Sequence, residues 1–103
     1  MNSDRIKMLE QFVAEDPTDP FNHYALALEL TKSDKQKAKE VFDKLISTNP
    51  DYVATYYQAA LLYLELSLNE EAMIIIERGI AQAKKQTNLK AANELRSLLD
   101  EID

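Results

Sequence analysis

Apolar and polar residues alternate with a helical period along almost the whole chain. Ile6, Met8, Leu9, Phe12 and Val13 fall within one broad face of a first helix that Ser3 can cap. Pro17 and Pro20 bracket a short connection, and Asp19-Pro20 pairs an N-cap with proline at the first helical position. A second helix is predicted from there to about Lys32. Ser33-Asp34-Lys35-Gln36 has the capping-box pattern and opens a third, which carries Ala38, Val41, Phe42, Leu45 and Ile46 and runs to about Thr48. Asn49-Pro50-Asp51 stops it. A fourth follows near Tyr52 to Ser67, and a fifth, capped by Asn69 with Glu70 and Glu71 at its positive end, reaches about Gln86. Thr87-Asn88 breaks it, and a sixth runs from Leu89 to about Glu101 with a stripe at Ala92, Leu95, Leu99 and Ile102. Connections this short make consecutive helices antiparallel neighbours.

The pattern repeats. Pro17 recurs as Pro50, and Leu26, Ala27 and Leu30 recur as Ala59, Ala60 and Tyr63, all at an interval of 33 residues. Beyond the turn the interval lengthens to 34, from Ala38 to Ala72 and from Phe42 to Ile76. One residue is therefore missing from the first unit between Leu30 and Ala38. The repeating object is a pair of helices.

These residues resemble the tetratricopeptide repeat (TPR) family. Its pattern sets a bulky residue, Leu-Gly and Tyr in helix A, then Ala, an aromatic, a small residue and Pro in helix B. Tyr56, Ala59-Ala60, Tyr63, Ala72, Ile76 and Gly79 stand at these places in the second unit. His23, Leu26-Ala27, Leu30, Ala38, Phe42, Leu45 and Pro50 stand there in the first, with His23 and Leu45 departing from it. The resemblance implies an all-α, right-handed solenoid of about six helices in one domain spanning residues 1–103. Within it residues 3–17 form a helix-B-like segment, 19–50 and 51–86 the two repeats, and 88–102 a capping helix. Such a cap needs a polar outer face, which Lys90, Asn93, Glu94, Ser97, Asp100 and Glu101 supply. The small residues let paired helices approach. Gly79 inside a helix costs about 1 kcal/mol relative to alanine, and its place in the repeat accounts for that: it lies at a helix crossing.

Composition narrows the chemistry. One glycine in 103 residues leaves none to spare for the turns of β-folds or for phosphate-binding loops. Without cysteine there are no disulfides, thiolate metal sites or cysteine nucleophiles. The formal charge of −6, with both halves acidic, disfavours nucleic acid and anionic membranes as partners. Acidic residues in the first twenty positions break any signal-peptide pattern, and no apolar run is long enough to span a bilayer, so a cytoplasmic protein is expected. His23 is the only histidine, which leaves no histidine pair for a metal or proton relay; a structural role is expected of it. Lys32, Lys35, Lys37 and Lys39 spread around a turn and a helix as a solvated face. No catalytic, cofactor or metal residues are assigned, and no enzyme is expected.

In the resembled family, helices A line a concave groove that receives an extended peptide or a partner helix. Carried over by position, the groove residues are Tyr24, Leu28 and Thr31 in the first unit and Tyr57, Leu61, Leu64 and Glu65 in the second. Leu61 and Leu64 also suit packing against neighbouring helices, whereas a tyrosine combines apolar area with a polar tip suited to a surface. A subset of the family clamps a C-terminal carboxylate with Lys, Asn and Arg; here Tyr24, Leu28 and Gln58 hold the matching places, which disfavours that specificity. The expected function is a protein-interaction module whose partner is an unidentified protein or peptide. The alternative is a structural, self-associating subunit forming a homodimer or larger homo-oligomer.

Overall fold

The structure, a computed structural model, describes residues 3–102. It is all-α, with six helices among the described residues. They fall into two compact units divided after Asn49.

The first unit contains α1 (Ser3–Glu15), α2 (Pro20–Leu30) and α3 (Lys35–Thr48), with α2 packed against both of the others. Leu9 of α1, Leu26, Ala27 and Leu30 of α2, and Ala38, Phe42, Leu45 and Ile46 of α3 are buried. Asp19 caps α2 as its sequence suggests, its carboxylate accepting from the Phe21 amide at 3.0 Å. The capping box expected of Ser33 and Gln36 does not form. Asp34 is the N-cap of α3, and its Oδ1 accepts from the Lys37 amide at 3.1 Å. The Ser33 amide is already committed to the Leu30 carbonyl in closing the preceding turn, and a carboxylate one residue later meets the positive helix end. That tight closure also ends α2 at Leu30 rather than near Lys32.

The second unit contains α4 (Ala54–Glu65), α5 (Asn69–Lys85) and α6 (Leu89–Ile102), with α5 packed between α4 and α6 and α4 also meeting α6. Tyr56, Ala59, Ala60, Leu62 and Tyr63 of α4 are buried, as are Ala72, Ile75, Ile76 and Ala83 of α5. The stripe of α6 is centred differently from the expectation: Leu98 is buried with Ala92 and Leu95, whereas Leu99 and Ile102 are half-buried. Tyr52 and Val53 accept from the amides of Thr55 and Tyr56 in a tight turn, so α4 starts two residues later than the pattern suggests. Asn69 does not cap α5. The helix begins at Asn69 itself behind Leu68, which offers no side-chain cap, because the Leu68 amide reaches back to the Tyr63 carbonyl at 2.8 Å.

That last bond explains the unequal repeat. α4 ends in a Schellman-type turn with Ser67 at φ 62°, and α5 ends the same way with Thr87 at φ 57° and the Asn88 amide on the Ala83 carbonyl. The turn from α2 to α3 contains no positive-φ residue; its Ser33 and Asp34 amides both close on the Leu30 carbonyl. Omitting the left-handed residue shortens the turn, which is the residue missing between Leu30 and Ala38.

Gly79 lies where bulk is excluded. A Cβ added there would stand 2.6 Å from Tyr56 Cβ and 3.0 Å from Leu95 Cδ1, so α4, α5 and α6 converge on this position.

Candidate functional site

In the first unit the structure brings the sequence-derived candidates together. Tyr24, Leu28 and Thr31 line one open pocket of about 470 Å³ along α2, joined by Phe21, Ala25 and Glu29 of the same helix, Lys32 of the following turn and Arg5 of α1. The local reason is helical spacing: positions 21, 24, 28 and 31 follow one another at three and four residues and so share a face. Tyr24 and Leu28 are half-buried, Phe21 is well exposed, and the Thr31 hydroxyl turns inward to donate to the Leu28 carbonyl at 2.6 Å.

Five pocket residues, Arg5, Phe21, Ala25, Glu29 and Lys32, lie outside the sequence-derived set. Phe21 and Arg5 supply an aromatic face and a cation. Glu29 is buried, its Oε1 accepting from Arg5 Nε at 2.7 Å with Lys32 Nζ at 3.6 Å. The signal that could have found it is a carboxylate between Leu28 and Leu30 in a helix with no other acidic residue. The basic residues near the turn are drawn into separate ion pairs: Lys32 with Glu29, Lys37 with Glu10 at 3.5 Å and Lys39 with Asp43 at 2.8 Å.

In the second unit Tyr57, Leu61 and Leu64 form a half-buried stripe on α4, beside the buried stripe of Tyr56, Ala59, Ala60 and Tyr63, and Glu65 is exposed at the helix end. His23 has a backbone partner: its Nε2–H donates to the Pro17 carbonyl at 2.7 Å. No cluster of three or more His, Cys, Asp or Glu able to hold a metal occurs among the described residues. No helix among them is long and apolar enough to cross a membrane.

No family model and no curated protein matches the sequence. Solved structures do. The solution structure of a tetratricopeptide repeat domain protein from Salinibacter ruber is 37% identical, aligned over 85% of this chain and 90% of the other with a TM-score of 0.81. The chain belongs to the tetratricopeptide repeat family. A crystal structure of a TPR domain protein from the same organism agrees, at 35% identity over 82% of this chain and 96% of the other, with a TM-score of 0.78. The TPR2B domain of yeast Sti1, solved in complex with an Hsp70 peptide, shares the TPR fold at 18% identity, over 94% of this chain and 78% of that one, with a TM-score of 0.86. TPR domains are in general protein–protein interaction modules and typically non-catalytic.

Proposed function

We propose that this TPR domain is a non-catalytic interaction module that receives an extended peptide or a partner helix along its A helices, α2 and α4. Tyr24, Leu28 and Thr31 form the contact surface of α2, and Tyr57, Leu61, Leu64 and Glu65 that of α4. The observation that carries this reading is the α2 pocket, where three side chains chosen by repeat position share one open, largely apolar concavity. Pockets of this size with a few polar groups at the rim are the usual form of a recognition site. Affinity capture from source-cell lysate tests it: the wild type retains a specific protein that the Tyr24→Ala/Tyr57→Ala double variant, with unchanged helicity, releases. Equal capture by both moves the site elsewhere.

Self-association is a second reading, favoured by Met8 and Phe12. They stand four residues apart on α1 and are 46% and 42% exposed, an apolar edge suited to a second copy. Light scattering after gel filtration separates the two, since a monomer at every concentration removes the second.

A further inference from the structure

We propose that the α2 pocket accepts an arginine side chain of the bound peptide, with Glu29 as its counter-charge; this deepens the peptide-binding reading and rests on it. The Glu29 side chain is 5% exposed, and an ionised carboxylate offers about four acceptor positions. Its Oε1 holds one hydrogen bond, from Arg5, and the more distant Lys32. Its Oε2 is buried with no hydrogen-bond partner. A buried carboxylate oxygen shut off from both water and donors is an unmet demand for an N–H group.

The two cations already present do not meet that demand. Arg5 and Lys32 are 62% and 63% exposed and reach inward from water on long side chains, Lys32 standing 3.6 Å from the carboxylate. Arg5 donates through Nε to one oxygen only. A guanidinium on a bound peptide can grip both carboxylate oxygens side by side, so exchanging Arg5 for it gives Glu29 two charge-assisted bonds in place of one. The rest of the wall suits the same group. Phe21, well exposed, offers an aromatic face on which a guanidinium stacks, and Leu28 of the same pocket can cover its methylene stem. A lysine ammonium, a point charge without a planar fork, uses less of this surface.

The test is isothermal titration of the full chain with acetyl-Ala-Leu-Arg-Leu-Ala-amide and with two copies of that peptide carrying citrulline or glutamate in place of arginine. The arginine peptide is expected to bind at least about ten-fold more tightly than the citrulline one, the scale of one charge-assisted bond. Glu29→Gln removes the preference. Arg5→Ala, which deletes the internal competitor, strengthens binding of the arginine peptide and decides the matter should Glu29→Gln fail to fold. A preference for the glutamate peptide, or an arginine preference that survives Glu29→Gln, overturns the proposal. Equal binding of all three, or binding of none, overturns it, while the wider peptide reading stands or falls with the Tyr24→Ala/Tyr57→Ala capture.

Discussion

The phenol of Tyr56 donates a hydrogen bond to the carbonyl of Pro50, six residues behind it. One repeat earlier, His23 does the same to the carbonyl of Pro17. Helix A thus holds the proline that ends the previous helix B in both units, and the histidine that departs from the family's bulky residue retains its polar task. Tyr56→Phe keeps the packing and loses the bond. It is expected to lower the unfolding free energy by about 1 kcal/mol, measured by urea denaturation.

The same phenol makes stability depend on alkaline pH. Burial raises the Tyr56 pKa above its ordinary value, against an opposing effect of Arg78 and with a further rise from Asp51. The folded state then holds this proton more tightly than the unfolded chain. Its contribution is complete below the unfolded value, about 10, and is lost as pH climbs through the higher folded one. The gap in stability between wild type and Tyr56→Phe should be constant below about pH 9 and shrink above about pH 10, read from urea midpoints across that range.

Gly79→Ala is expected to destabilise, although alanine favours a helix by about 1 kcal/mol. The added methyl would stand 2.6 Å from Tyr56 Cβ, an atom fixed to the backbone of α4. Overpacking of this kind costs about 1–3 kcal/mol, so a lower melting temperature is expected, and Gly79→Leu should fall further. An unchanged or higher value for Gly79→Ala would place the crossing elsewhere.

The repeat and the identity of the helix pairs were readable because matching residues occur in both units, 33 or 34 positions apart, and must satisfy the same packing. Helix ends were less so. Ser33 and Asp34 are both good caps, and only the commitment of the Ser33 amide to the Leu30 carbonyl decides for Asp34. Asn69 fails as a cap because Leu68 is held by a turn whose left-handed residue is Ser67, a residue that seldom advertises that conformation. At the pocket, Tyr24, Leu28 and Thr31 followed from repeat position. Arg5 comes from a different helix, and the burial of Glu29 depends on what surrounds it, neither of which local periodicity encodes.

The competing caps give a paired measurement. Asp34→Ala should cost about 1 kcal/mol of stability, the usual loss of an N-cap. Ser33→Ala should stay within about 0.5 kcal/mol of wild type in the same urea titration, as surface changes do.

Ser67 and Thr87 occupy backbone that favours glycine. Thr87 is the more strained because its side chain branches at Cβ. Thr87→Gly is expected to raise stability by about 0.5–1 kcal/mol, relief of the left-handed conformation outweighing the greater freedom of an unfolded glycine. Ser67→Gly should give a smaller gain, both read as shifts in thermal midpoint.

Amide chemical-shift mapping reports directly whether partners bind along the A helices. A peptide selected from a displayed library against the full chain would be titrated into the labelled protein. The largest shifts are expected at Tyr24, Leu28 and Thr31 on the α2 face and at Tyr57, Leu61 and Leu64 on α4, with α3 and the outer face of α6 unmoved. Saturable binding whose shifts cluster on α3, or on Glu94, Ser97 and Glu101 of α6, would contradict it.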